Sequence, residues 1–515
     1  MIMKILCFIL ACFAFSGARA QNNSISNYVD QAGKAKQLNG GILVAENSRI
    51  ITNQAFGYAD FEKGIPNTLS IRFNLCSISK LFTSTAVLQL RDRGKLSLTD
   101  HLDKFFPDFP YPELTVWNLL THTSGLPDLE LYESLVRQYP DTVVTNKNII
   151  PELKKFKPGL HGRPGDDCRY SNVNYSLLAM VVEKVSGLSF SDYLEKYIFK
   201  PAGMKDTYLR VYPSKRWQQD SRIAQMHTLP HPFYDSTYRY ADSSSKYDYI
   251  RYCNFNCSGT VGESNIYATT ADLAAFDRTF FSGKLLKPAT MEEAFTPVKL
   301  NNGNVYHQSM DCMQGEGKMA FGLGWDIFEQ PGFSKAVGHA GFFYGNIAFY
   351  YHVLDKKQFI TGYDNTAGIA FGRIITSALY LLNGKEPLPA RDRHSMAFVY
   401  GSTLVKEGPD AAAAAFNMIK SDTAHYYLSE WEFNQLGGNL INLSKFEGHG
   451  QLALEVFKLN TILFSNSANT YDSYAYGLRA MGRKKEAIQM YQKSLAMDPN
   501  NDDGKQALKE LMNEK

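Results

Sequence analysis

A serine and a lysine three residues apart, Ser77 and Lys80 in "SISK", stand where the apolar run "LFTSTAVLQL" begins a helical pattern. Residues so spaced share a helix face, so the lysine can reach back to the serine hydroxyl and accept its proton. A free lysine with a pKa of about 10.4 is neutral in only roughly one molecule in two thousand at pH 7. A useful base must therefore be desolvated or set beside another cation, and the apolar helix supplies the first condition. Lowering that pKa by ~3 units costs roughly 4 kcal/mol, which other contacts must offset. Taken alone, the pair equally fits a helix N-cap serine followed by a solvated lysine.

Two further groups follow in order. "PGDDCRYSNVNYSLLAMVVEKVSG" places Tyr170-Ser171-Asn172 just before a helical pattern, and "VGHAGFFYG" places His339-Ala340-Gly341 on a predicted strand. Each has a bland reading, Tyr170 as a packed aromatic and His339 as a structural histidine. Their joint appearance raises the catalytic reading above these. His122 reads as a loop-fixing residue, and Cys76, beside Ser77, as a small buried side chain.

Stepping along the chain, "GGILVAENSRIITNQAFGYAD" (residues 40–60) reads as a strand pair around an Asn-Ser break. A long helix follows from near Ser77 to Gly94, apolar nearly all round and so buried. Helical patterns recur at "NYSLLAMVVEKVSG" and "TADLAAFDRTFFSG", and β-rich runs at "KAVGHAGFFYGNIAFYYHVLDKKQFITGYDN"; an apolar helix over about 366–382 comes next. Strands at both ends of a helical middle predict a mixed sheet built from the two chain ends with a helical region beside it.

With 515 residues, two or more domains are expected, and 44% hydrophobic with 20% charged residues is ordinary for a folded chain. Lys+Arg 54 against Asp+Glu 51 gives a formal charge of only +3, and no basic run interleaves with aromatics, which argues against nucleic acid. The start "MIMKILCFILACFAFSGARAQNN" reads as a secretory signal over residues 1–20, ending at Ala18-Arg19-Ala20, with a lipoprotein signal at Cys12 as the alternative. No later run is long and apolar enough to span a membrane; "AGIAFGRIITSALYLL" is broken by Arg373. Beyond the signal, Cys76, Cys168, Cys253, Cys257 and Cys312 make an odd set, so no disulfide framework follows. Cys253 and Cys257 could be bridged or ligate a metal, but no companion zinc-spaced pair lies near them.

After "NGKEPLPARDR" (383–393) the strand signal ends and the remainder reads as helical, which divides the chain at about 390. Near its end "ALEVFKLNTILFSNSAN" and "AIQMYQKSLAMDPNNDD" align at an offset of 34 residues. Residues 468–501 resemble a full tetratricopeptide repeat, with Tyr471, Ala475, Gly482, Ala487, Tyr491 and Pro499 at its bulky, small, turn, small, bulky and terminating places. The copy at about 434–467 carries some four extra residues, which predicts a distorted first helix or turn. Two repeats bury little alone and are expected to pack on residues 395–430.

The order Ser77-x-x-Lys80, Tyr170-x-Asn172, His339-x-Gly341 makes the chain resemble the penicillin-recognising serine hydrolases, the superfamily of class C β-lactamases, D-alanyl-D-alanine carboxypeptidases and related esterases and D-aminopeptidases. "LTVWNLLTHTSGLPDL" is similar to that family's His-Thr-Ser-Gly-Leu loop, and the resemblance covers about residues 27–385. It implies an α+β class domain over 21–390, an antiparallel sheet flanked by helices plus an all-helical region, followed by an all-α domain over 391–515. It implies that Ser77 becomes acylated, that Lys80 accepts or relays its proton, and that Tyr170, as phenolate or phenol, passes a proton to the leaving group. Asn172 would donate to a substrate carbonyl and His339 would add positive or hydrogen-bonding character. The oxyanion would lie between the N–H groups of Ser77 and Phe342, each worth ~3 to 4 kcal/mol, and Gly341 would let the substrate approach. Two departures stand out: Ala340, where members that bind a carboxylate often carry Thr or Ser, and Glu263-Ser264-Asn265, where a glycine pair is common.

The expected protein is an exported serine hydrolase that cleaves an amide or ester through Ser77, with no metal and no organic cofactor. Its substrate is a small molecule or peptide, and its repeats either bind a protein partner or brace the catalytic domain. The rivals are a penicillin-binding D,D-carboxypeptidase or true β-lactamase, disfavoured by Ala340, and a non-catalytic binding protein.

Overall fold

The protein is represented by a computed structural model that describes residues 23–157, 159–228, 238–241, 257–309, 317–368, 370–388, 393–442, 449–499 and 501–513. The signal-like N-terminus and the question of a Cys253–Cys257 bridge lie outside these residues. The chain divides into two compact units, residues 1–228 with 240–388, and residues 229–239 with 389–515.

The first unit is built on an eight-stranded sheet. Its strands are β1 (Gly40–Glu46), β2 (Arg49–Phe56), β3 (His307–Ser309), β4 (Lys318–Phe321), β5 (Asp326–Glu329), β6 (Ala336–Phe343), β7 (Asn346–Val353) and β8 (Gln358–Asp364), in the spatial order β3-β4-β5-β6-β7-β8-β1-β2. The two chain ends do meet, β1 against β8 with Ile42 opposite Gly362. The sheet is not mixed, however, since every pairing is antiparallel. Short connections at 344–345 and 354–357 allow only hairpins there, and hairpins are antiparallel.

Period-two alternation splits the apolar residues of these strands between two faces. Ile42, Val44, Phe349, Tyr351 and Ile360 pack with Ile25 and Val29 of a helix over residues 23–34 and with the apolar stripe of a helix over Ala370–Leu382. Leu43, Tyr350, Phe359 and Tyr363 face the helical middle. That middle contains α1 (Ser79–Asp92), α2 (Asn172–Ser186) and α3 (Thr270–Phe281). All of α1 from Ser79 to Leu90 is buried, as its all-round apolar pattern predicts. Phe82 on α1 meets Phe276 of α3 at 4.3 Å between ring centroids. The helix stops where Gly94 takes φ +67°, a conformation cheap only for glycine.

The second unit begins with a feature absent from the sequence reading, a parallel two-residue pairing of His394–Ser395 with Tyr426–Tyr427. Its described elements from Met396 onward are otherwise helices: α5 (Met396–Glu407), α6 (Pro409–Ile419), α7 (Glu430–Asn442), α8 (Gly450–Leu463), α9 (Ala468–Ala480), α10 (Lys484–Met497) and α11 (Asp502–Asn513), where α4 denotes Ala370–Leu382 above. Tyr400, Phe416, Phe433 and Phe457 share one core, so α7 and α8 do pack on the helices before them. Starts at Gly450 and Lys484 keep the 34-residue offset, as do Ala468 and Asp502, whereas α7 starts 38 residues before α9. The four extra residues thus fall between the starts of α7 and α8.

Phe82→Ala should cost the first unit ~3 to 5 kcal/mol, because the ring is fully buried and its rigid neighbours cannot close the gap. Denaturant unfolding followed by tryptophan fluorescence measures this.

Candidate active site

Ser77 lies in a single 3-10 turn, Cys76–Ile78, that precedes α1. Cys76 adopts φ +48°, uncommon for a non-glycine residue, and the surroundings hold it there. Its N–H donates to Asn74 Oδ1 at 2.9 Å, while Asn346 Nδ2 donates to the Asn74 carbonyl at 2.8 Å and to Cys76 Sγ at 3.1 Å. Burial pushes the Cys76 thiol up to about 12, so it stays a neutral small group.

Lys80 is wholly buried and its ammonium finds three acceptors: Ser77 Oγ at 3.1 Å, Asn172 Oδ1 at 2.8 Å and the Glu263 carbonyl at 3.1 Å. Three donors meet three acceptors, so no N–H is wasted. Desolvation lowers the Lys80 pKa to about 8, against the pull of the Glu263 and Asp128 charges in the opposite direction. At pH 7 roughly one lysine in ten is then neutral.

Tyr170 donates its O–H to Ser77 Oγ at 2.9 Å, and Lys80 Nζ sits 4.9 Å from its ring centroid. Burial drives the phenol well above its usual pKa, which selects the phenol over the phenolate. Behind it His122, itself buried and held neutral by desolvation, stacks on the ring at 4.4 Å and accepts from the Ser171 N–H. His122 thus fixes the loop that carries Tyr170.

Asn172 opens α2. Its Oδ1 faces Lys80 while its Nδ2 and backbone N–H donate to Asp128 at 3.2 and 2.8 Å. Asp128 orients the amide, and its own pKa rises to about 6 through desolvation. The sequence reading missed this carboxylate, although it ends the "HTSGLPD" stretch already singled out. Glu263, read there only as an altered loop, is buried next to Lys80 and accepts hydrogen bonds from Ser176, Thr260 and Ser264 at 2.6 to 2.9 Å.

His339 on β6 comes within 6.3 Å of Tyr170, centroid to centroid, but not as a cation. Desolvation, helped by repulsion from Lys80, pulls its pKa to about 3, so of the two characters expected of it, positive or hydrogen-bonding, the hydrogen-bonding one fits. Its Nδ1 bonds the Ala340 carbonyl at 2.6 Å and lies 3.7 Å from Asp326 Oδ2. Asp326, on β5, is the other group the sequence did not flag, and desolvation lifts it to about 7.

Gly341 on this strand also meets a packing requirement beyond the substrate approach expected of it. A Cβ on Gly341 would stand 2.3 Å from the Leu75 carbonyl oxygen and 3.2 Å from Ser77 N, so β6 abuts the serine turn itself. β5 pairs with β6 only as far as Gly338, which leaves residues 339–343 open on that edge. The Ala340 N–H points to that edge, at Asp326, and the Phe342 N–H two residues on points the same way. Phe342 itself is 60% exposed at the mouth of a cavity of about 690 Å³ that reaches Ser77, Asp128, Asn172 and Glu263.

This architecture is that of the penicillin-recognising fold: an octameric penicillin-binding protein homologue from Pyrococcus abyssi superposes with a TM-score of 0.57 at 23% identity, over 71% of this chain and 78% of that one. The D-amino acid amidase of Ochrobactrum anthropi SV3 gives 0.56 at 20% identity, over 71% of this chain and all of its own. In sequence, penicillin-binding protein 4* of Bacillus subtilis is 31% identical over 328 residues, 63% of this chain and 68% of the relative. The putative penicillin-binding protein PbpX of the same organism is 32% identical over 278 residues, 54% of this chain and 62% of the relative. The family model described as Beta-lactamase matches residues 25–397, and the chain belongs to that family of serine hydrolases.

Gly341→Ala should destabilise the first unit by about 1 to 3 kcal/mol, since backbone rather than a flexible side chain blocks the added methyl. A lower midpoint in thermal unfolding is the expected result.

Proposed function

We propose that the protein hydrolyses an amide or ester through an acyl-enzyme on Ser77. The observation that carries this reading is one oxygen with two partners: Ser77 Oγ lies within hydrogen-bond reach of both Lys80 Nζ and Tyr170 O–H. Neutral Lys80 accepts the Ser77 proton as Oγ bonds to the carbonyl carbon. The oxyanion that forms lies between the N–H groups of Ser77 and Phe342. When the bond to the leaving group breaks, that group takes the Tyr170 proton, and the Lys80 ammonium replaces it. Water then attacks the acyl-enzyme with the same two groups moving its proton, and Ser77 is released.

Asn172 holds Lys80 and, in this reading, turns its remaining amide hydrogen to the substrate. Neutral His339 packs beside the Tyr170 ring, tied to the Ala340 carbonyl, without adding charge. The proposed steps use neither a metal nor an organic cofactor. The N-terminal pattern supports export, and the 34-residue helix pairs support a tetratricopeptide-like tail that braces the enzyme or binds a protein.

A second reading, a penicillin-binding D,D-carboxypeptidase, is favoured by the names of the two Bacillus relatives. It requires that a β-lactam acylate Ser77, which intact mass after incubation with benzylpenicillin decides.

Fluorophosphonate should add once to the wild type and not to Ser77→Ala; adducts on both, or on neither, would reject the acyl-enzyme. The labelling rate should rise with pH through about 8 and then level, because the base is Lys80 with its pKa lowered from 10.5 and Tyr170 stays protonated far above that. A rate flat from pH 6 to 9 would assign the proton elsewhere. Tyr170→Phe should lower turnover of any ester ~10²- to 10⁴-fold.

A further inference from the structure

One wall of the cavity takes no part in this chemistry. Arg210 follows the short strand Tyr208–Leu209, and its N–H donates to the Asn265 carbonyl at 2.8 Å, two residues beyond Glu263. Its guanidinium carbon lies 3.9 Å from the ring centroid of Trp217, in the helix Lys215–Gln219. Both side chains line the cavity with Ser77.

Their hydrogen bonding is incomplete. Arg210 Nε and Trp217 Nε1 are buried without a well-aligned partner, and the group they face is the neutral Tyr267 hydroxyl, a costly arrangement unless something else compensates. Among the described residues no carboxylate pairs with Arg210. Asp206 and Asp220, on either side of this segment in sequence, are both held by Arg72 at 2.5 and 3.0 Å. The other charged residues lining the cavity are committed: Lys63 to Asp60 at 3.3 Å, Asp128 to Asn172, and Glu263 to three hydroxyls. β6 contributes no competing cation, since Phe342 and Phe343 are its residues that line the cavity. Among the described residues Arg210 is thus the cavity-lining cation with no carboxylate beside it, facing only the neutral Tyr267 hydroxyl and carried on an aromatic face that restrains the guanidinium.

We propose that Arg210, set over Trp217, receives a carboxylate of the substrate and so selects anionic esters or amides over neutral ones. The planar fork of a guanidinium matches a carboxylate through two parallel N–H donors, and the indole supplies apolar surface beside it. The inference rests on the Ser77 acyl-enzyme reading and names the substrate class for it.

Competition against fluorophosphonate labelling of Ser77 in the full chain tests this, because it reads occupancy of the site with or without turnover. p-Nitrophenyl monosuccinate is compared with p-nitrophenyl butyrate, and 3-carboxyphenyl acetate with phenyl acetate, so that the carboxylate stands on the acyl side or on the leaving group. The charged member of one pair should compete ~10- to 100-fold better than its neutral match, the range of a charged hydrogen-bonded pair. Arg210→Gln should collapse that ratio to about one, and Arg210→Lys should keep part of it. No charge preference in the wild type, or a ratio unchanged in Arg210→Gln, would overturn the subsite while leaving Ser77 in place. A loss shared by charged and neutral esters in both variants would make Arg210 structural and overturn it equally. No labelling of the wild type at all would reject the acyl-enzyme and the subsite together.

Discussion

A lysine ammonium with no exposed surface is the constraint on which the first unit depends. Water cannot solvate Lys80, so the protein must supply its acceptors, and it does so from three separate parts of the chain: the serine turn, the start of α2 and the 263 loop. Each acceptor has to be fixed by something else. Asp128 fixes Asn172, hydroxyls fix Glu263, and the Asn74–Asn346 pair fixes the turn that carries Ser77. The network is satisfied as a whole, which is the condition under which a buried polar cluster stabilises rather than weakens a core.

The same burial sets the chemistry. Desolvation alone would strip the proton from Lys80, while the nearby carboxylates favour keeping it, and the balance lies at about 8. The carboxylates face the reverse penalty, Asp128 moving to about 6 and Asp326 to about 7. His339 and Tyr170 lose their charged forms altogether under the same pressure. Around one serine, then, a site has formed in which Lys80, like Asp128 and Asp326, can change its protonation near neutral pH while Tyr170 stays a phenol.

The sheet serves this arrangement through one close approach. β6 can lie against the serine turn only because residue 341 has no side chain, and its pairing with β5 ends at Gly338, just short of the residues that face the cavity. Past that point, among the described residues, no strand pairs with β6 on the β5 edge. The second unit follows a different logic. Its helices repeat every 34 residues and share cores between neighbours, so its stability accrues pair by pair.

The sequence by itself determined many of the elements and which side chains are candidates for the chemistry. Apolar runs, alternation and terminal glycines placed the strands around 40–60 and 335–365 and the helices α1 to α4, and the order of Ser77, Lys80, Tyr170, Asn172 and His339 pointed to acyl transfer. These are local signals, or short motifs whose spacing is itself physical. Only the tertiary structure decided the protonation states, because desolvation depends on what surrounds a group: His339 is neutral and Tyr170 a phenol for reasons no motif contains. It likewise decided that Asp128, Glu263 and Asp326 converge on Lys80, since they lie 48, 183 and 246 residues beyond it. The antiparallel sheet, the short parallel pair at His394 and the packing need for glycine at 341 were settled the same way, by contacts between segments distant in the chain.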